Sequence, residues 1–154
     1  MFNSGLIKFR QISSNTDGFG TLTPIEGTTD IPFDIKRVYY IYDVENDIIR
    51  GKHSHKTLHQ ILICVNGSLD VRLKNYFGEE SYTLNDPSVG LYVGPDNWRE
   101  MYNFTDNGIL LVLASAKYDE NDYIRDYDKF ISYSNEKYGK APKKYVLGRN
   151  IRND

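Results

Sequence analysis

What most constrains this chain is its punctuation. Short apolar runs are closed again and again by Gly, Pro, Asn or Asp before the next run begins. Apolar runs too short for helices, with turn chemistry at close spacing, predict the strands of a sandwich or barrel. Strands are expected at Gly5–Ile12, Thr21–Ile25, Lys36–Tyr42, Leu58–Val65, Leu69–Leu73, Ser81–Leu84, Val89–Val93, Met101–Phe104 and Ile109–Ser115. Asp43–Lys52 is expected as a turn or loop, and Leu58–Val65 is apolar without a break, which implies burial on both faces. Asn66-Gly67 carries the strongest hairpin signal, since both residues tolerate the left-handed backbone of a tight turn. Asn75–Gly78 and Asp106-Asn107-Gly108 are expected to turn the chain in the same way. Helical spacing is confined to Asp122–Tyr138, with Tyr123, Tyr127, Phe130 and Ile131 on one face. The pattern predicts one domain over 1–154, an all-β jelly-roll barrel with a short C-terminal helix. N-terminal strands lie in 1–30 and a tail in 139–154.

Aromatic residues are abundant: thirteen Tyr, seven Phe and one Trp. Tyr pairs an apolar body with a polar tip, which suits the wall of a sugar pocket as well as a strand. In Lys36–Tyr42 the alternation puts Arg37, Tyr39 and Ile41 on one face and Val38, Tyr40 and Tyr42 on the other. The first face, polar groups among apolar ones, is the one able to line a cavity. A net charge of −2 argues against a nucleic-acid partner. The basic stretch Lys137–Arg152 reads as a packing or disordered tail. No run approaches the length of a membrane span and Met1–Arg10 has no signal-peptide core, so no membrane partner and a cytoplasmic location are expected. Cys64 is the one cysteine, in the apolar run Ile61–Val65, and is expected to be buried and inert.

All three histidines fall within seven residues, at His53, His55 and His59. A His-x-His pair on a strand turns both imidazoles to one side. Two such rings suit either a metal ion or proton transfer near neutral pH.

The surroundings of that pair resemble the first cupin motif: His53-x-His55, Gln60 where a Glu is usual, then Gly67. Gly90-Leu-Tyr-Val-Gly-Pro95, with Asn97 and Glu100 after it, resembles the second motif, Asn97 standing for its Gly and Glu100 for its His. Two usual metal ligands are thus altered. Arg50-Gly-Lys-His-Ser-His-Lys56, Gln60-Ile-Leu-Ile-Cys-Val-Asn-Gly67, Val89-Gly-Leu-Tyr-Val-Gly-Pro95, Trp98-Arg-Glu-Met101, Leu113-Ala-Ser115, Tyr118-Asp-Glu120 and Asp122-Tyr-Ile-Arg125 together resemble the nucleotide-sugar 3,4-ketoisomerases. The resemblance covers roughly 37–130. It departs at Arg99 and His59, where the family pattern has His and Glu.

The resemblance implies a cupin jelly roll acting on dTDP-4-keto-6-deoxyglucose, as a homodimer with exchanged N-terminal strands, in the synthesis of bacterial surface polysaccharides. It implies His53 and His55 as catalytic groups, with no metal and no redox cofactor. Tyr39 is a candidate donor or proton relay at the sugar oxygens. Arg50 suits phosphate, because its planar fork binds two oxygens. Trp98 is a candidate to stack on thymine or sugar. Arg99 stays protonated and so suits an enediolate oxygen or the diphosphate. Three alternatives stand: a metal-dependent, dioxygenase-like cupin using His53, His55 and His59; a non-catalytic sugar-binding cupin; and a C3/C5 epimerase. The last would need a His–Asp base pair, and no Asp is evident beside these histidines.

Overall fold

The computed structural model describes residues 3–13, 18–139, 145–146 and 149–150, the last four as backbone only. Its strands are β1 (Ser4–Lys8), β2 (Arg37–Ile41), β3 (Arg50–His55), β4 (Gln60–Asn75), β5 (Gly78–Leu84), β6 (Val89–Val93), β7 (Trp98–Ala114), β8 (Tyr123–Ile124), β9 (Tyr145–Val146) and β10 (Arg149–Asn150). A single-turn 3-10 helix, Glu120–Asp122, precedes β8, and one α-helix, α1 (Tyr127–Tyr138), follows it. Among the described residues no helix is long and apolar enough to cross a membrane.

Two long strands organise the barrel. β4 and β7 pair antiparallel along nearly their whole length, from Gln60↔Ala114 to Lys74↔Trp98. Their first and last halves belong to different layers. β1, β6, the start of β4, the end of β7 and β2 form one layer. β5, the end of β4, the start of β7, β3 and β8 form the other.

Here the expected hairpins give way to bends. Asn66-Gly67 does not end a strand; it lies inside β4, and Asp106–Gly108 lies inside β7 directly opposite. Gly67 has φ +70, and a Cβ there would lie 2.4 Å from the Thr105 carbonyl oxygen. Asp106 and Asn107 are also left-handed, and the Asn66 amide donates to both of their carbonyls, at 3.2 and 3.1 Å. Residues that favour turns also favour bulges, and two bulges in register bend a strand pair without breaking it.

Both faces of the first layer are covered, as the unbroken apolar run in β4 implied. Leu62 and Cys64 face the inter-layer core with Leu69, Val71, Leu73, Leu91, Val93 and Phe104. Ile61 and Ile63 face outward under Phe9, Ile31 and Phe33. Thr21–Ile25, expected as a strand, forms only one isolated bridge, Ser13↔Leu22. Its useful apolar group is Ile25, which joins the outer cluster.

The helix begins at Tyr127, later than expected. Asp119 caps the 3-10 turn and Asp126 caps α1, accepting from the Lys129 N–H at 2.9 Å. Between the two caps, the aromatic and β-branched pair Tyr123-Ile124 adds a strand beside β3 instead. Phe130 buries its ring against Trp98 and Ile124. Asp96 ties the far end of α1 down, accepting from Tyr133 at 3.0 Å, Lys137 at 2.6 Å and Tyr138 at 2.5 Å. The backbone N–H of the same Asp96 donates to the His55 carbonyl at 2.8 Å, which couples the helix to the end of β3.

Candidate active site

The His-x-His segment lies on β3, and a bulge aims it. Gly51 and Lys52 are both left-handed, with φ +85 and +55. The register against β7 slips there, from Gly51↔Glu100 to His53↔Arg99. A Cβ on Gly51 would meet the Arg99 carbonyl at 2.8 Å, so only glycine permits this approach. After the bulge His53 and His55 share the inner face. Their rings stand edge to face, 4.9 Å apart at 88°.

A cavity of about 550 Å³ opens above His53, with Tyr39, Arg50 and Met101 in its wall and Arg37, Tyr123 and Arg125 beside them. Tyr39 comes from the inner face of β2, as the alternation predicted, and Arg50 is exposed at the start of β3. His55 is 1% exposed and sits behind His53. The ring of Tyr123 packs against both imidazoles, 5.0 Å from His53 and 4.2 Å from His55. Arg125 lies over that ring at 4.1 Å and is paired at 2.6 Å with Glu120 at the rim.

Arg99 lies inside the barrel, also 1% exposed. It donates to the Gln60 side-chain oxygen and, at 3.1 Å, to the Asn97 carbonyl, while its Nε has no partner. Gln60 in turn donates to the Tyr39 hydroxyl at 3.0 Å. Burial lowers the pKa of Arg99 to about 10, which leaves it a cation at neutral pH. That buried charge acts on its neighbours. Burial first and Arg99 second push His53 down to about 3, and the same two causes hold His55 far below the ordinary imidazole range. Both imidazoles are therefore neutral bases at pH 7.

Three sequence expectations are corrected by this geometry. Trp98 does not reach the cavity; it is 5% exposed and stacks on Phe130 at 5.7 Å, because an indole is the largest apolar surface available to anchor the helix. His59 does not converge with the pair. It sits on the outer face near Phe33 and bonds the Tyr92 hydroxyl at 2.7 Å, since four residues beyond His55 the chain has turned into β4. The three-histidine metal arrangement is thereby lost, and among the described residues no group of three or more His, Cys, Asp or Glu is placed to hold an ion. An Asp does stand beside the histidines: Asp122 Oδ2 is 3.1 Å from His55 Nδ1. Glu100, aligned by motif with a metal-binding His, faces outward to Arg72 at 2.8 Å, and its neighbour Arg99 takes the inner position.

A family model described as "FdtA: WxcM-like, C-terminal" matches residues 3–135. The chain belongs to this family. It is 48% identical over 128 residues to TDP-4-oxo-6-deoxy-alpha-D-glucose-3,4-oxoisomerase of Aneurinibacillus thermoaerophilus, covering 83% of this chain and 90% of that one. A solved structure of the QdtA 3,4-ketoisomerase from Thermoanaerobacterium thermosaccharolyticum is 57% identical with a TM-score of 0.85, covering 91% of this chain and 99% of that one. That structure is of a histidine-to-asparagine mutant in complex with TDP-4-keto-6-deoxyglucose. The WlaRB TDP-quinovose 3,4-ketoisomerase of Campylobacter jejuni is 44% identical with a TM-score of 0.79, covering 86% and 99%.

Sequence reasoning put Arg37 on the cavity face of β2 without assigning it a role, and missed Asp122, Tyr123 and Arg125. The last three lie in the block Asp122-Tyr-Ile-Arg125, whose family likeness was visible but whose place beside His55 was not.

Proposed function

We propose that this chain moves the ketone of a TDP-linked 4-keto-6-deoxyglucose from C4 to C3. Its class, a sugar 3,4-ketoisomerase, follows from the family and from relatives with that activity. The observation that carries the mechanism is a neutral histidine, His53, in the floor of an arginine-rimmed cavity, with a buried cation directly across the strand pair.

The C3–H bond is acidified by the adjacent C4 carbonyl. His53 takes that proton, the C–H electrons form the C3–C4 double bond, and the C4 oxygen becomes an enediolate. Arg99, with Tyr39 through Gln60, supplies fixed positive potential for that charge. His53 then returns a proton to C4, and the hydroxyl proton on O3 passes to O4, leaving the carbonyl at C3. Nothing is oxidised or reduced overall. Arg37, Arg50 and Arg125 at the mouth suit the diphosphate.

We further assign the chain to the cytoplasm as a homodimer. Among the described residues β2 pairs only with β7, which leaves its other edge open, and Val38 and Tyr40 on it are 56% and 64% exposed. An open edge with apolar side chains fits a second copy. Light scattering that returns a monomer at micromolar concentration would overturn this assembly.

Incubation with TDP-4-keto-6-deoxyglucose in D₂O, followed by NMR, tests the activity. A TDP-3-keto-6-deoxyhexose carrying deuterium at C4 is expected. Substrate left unchanged refutes the proposal.

A further inference from the structure

Gln60 stands where the first cupin motif usually has a Glu. It opens β4, shares the inner face with Leu62 and Cys64, and is 1% exposed. Its side chain joins two groups of the site. The carboxamide oxygen accepts from an Arg99 Nη1–H, and the carboxamide nitrogen donates to the Tyr39 hydroxyl at 3.0 Å. Arg99 dictates that orientation, because a guanidinium carries donors only. An oxygen must face it, so the N–H₂ must face Tyr39. The Tyr39 oxygen is therefore the acceptor in this bond, and a phenol has a single hydrogen left to give. Among the described residues no second group bonds the hydroxyl. Tyr39 lines the cavity above His53, so that hydrogen is left to point into it.

We infer that Gln60 is a positioning residue: by accepting from Arg99 and donating to Tyr39, it fixes the Tyr39 hydroxyl as a hydrogen-bond donor into the cavity. The inference rests on the ketoisomerase reading and deepens it, since it names what aims a donor at the sugar oxygens. It also gives a physical reason for an amide where the motif usually has a carboxylate. An ionised Glu only accepts. At position 60 it would take a bond from Arg99 and the hydrogen of Tyr39 as well, turning the hydroxyl away from the cavity. It would also set an anion against the buried guanidinium and cancel the fixed positive charge there. Gln does neither.

Burial raises the Tyr39 pKa above its ordinary value, so the hydrogen stays on the phenol at neutral pH. A hydroxyl hydrogen otherwise rotates to whichever acceptor is near. Gln60→Met leaves it free to do so, while Gln60→Glu captures it. The two variants should therefore differ in severity.

The test uses the full chain, in which Gln60 is one of two glutamines, the other being Gln11. With ¹⁵N-labelled glutamine and no substrate, the Gln60 amide should give two separate, slowly exchanging protons by NMR. One of them should move in Tyr39→Phe, which keeps the ring and removes only the acceptor. Gln60→Glu should lower kcat about 100-fold or more and Gln60→Met about tenfold, with KM changed by less than about threefold. In a Tyr39→Phe background, Gln60→Met should cost less than about twofold further, because the amide acts through a hydroxyl already gone. Amide protons that ignore Tyr39→Phe overturn the inference, and this result needs no variant at position 60 to fold. So does wild-type kcat in Gln60→Glu, or an undiminished loss for Gln60→Met in the Tyr39→Phe background, which would mean that Gln60 serves Arg99 or the packing alone. The amide is read without substrate, so a bond to Tyr39 in a protein yielding no 3-keto product upholds the hydroxyl assignment and sinks the ketoisomerase reading.

Discussion

Replacing Arg99 with Met separates what the buried cation does for chemistry from what it does for stability. Among the described residues Arg99 is the largest fully buried side chain, and none of their carboxylates is hydrogen-bonded to it. Its pKa falls from 12.5 to about 10, and 2.5 units correspond to about 3 kcal/mol for keeping the guanidinium charged there. Met fills similar volume with apolar atoms and removes that cost. It also leaves the Gln60 side-chain oxygen and the Asn97 carbonyl without their donor, at about 1–3 kcal/mol each where they stay dry. These effects oppose each other, so the variant should fold with stability within about 3 kcal/mol of wild type in urea melts. Activity should not survive the exchange. Loss of a fixed charge beside a developing oxyanion lowers kcat by about 10²–10³, and KM should stay within a few-fold. The His53 titration, followed by NMR, should move up, because Arg99 is the largest influence on it after burial. A rise in KM alone would reassign Arg99 to the diphosphate. Wild-type kcat and KM would make it a bystander and refute the argument.

Other outcomes follow from the same geometry. His53→Asn should cut kcat by about 10²–10⁴ with little change in Tm, and near-normal turnover would remove His53 from the mechanism. Trp98→Ala should cost about 3–5 kcal/mol in denaturant melts while the folded fraction keeps its KM; a raised KM at normal stability would return the indole to the substrate. Gly67→Ala should cost at least about 2 kcal/mol, because a left-handed φ and a 2.4 Å contact with a carbonyl coincide there; a neutral effect in a thermal melt would show that the bend is soft. Stability should also fall as pH drops from 6.5 towards 3: an unfolded chain binds the His53 proton near 6.5 and the folded one only near 3, so acid favours unfolding by a few kcal/mol. His55 shifts in the same direction and adds to it. Melts at pH 7, 5 and 4 that coincide would contradict these depressed values.

The fold was legible where periodicity reports a face, and illegible where the same residues serve two geometries. The alternation in β2 put Tyr39 inward correctly, and the unbroken apolar run in β4 announced two covered faces. Asn66-Gly67 and Asp106–Gly108 were read as turns, yet they bend two continuous strands. Local sequence shows that the backbone goes left-handed there. Whether the chain reverses or bends depends on a matching bulge about forty residues away. The segment from Asp122 failed for a related reason. Apolar spacing favoured a helix, while the capping aspartates at 119 and 126 split it and released Tyr123 to pair with His55.

The site divides along the same line. His53, His55 and Arg50 lie in one contiguous stretch that the motif made visible. The groups that set their chemistry come from other parts of the fold: Arg99 across from His53, Gln60 bonded to both Arg99 and Tyr39, and Asp122 and Tyr123 against His55. These groups also give a physical use to a residue that cannot accept a proton at this position. Burial and a nearby positive charge keep an imidazole neutral well below its ordinary 6.5, and Arg99 supplies both a cation and a full side chain of packing. The arrangement has a cost that cannot be engineered away separately. Whatever holds the histidines neutral also makes their protonation favour the unfolded chain, so a larger depression brings more acid lability and a weaker base together.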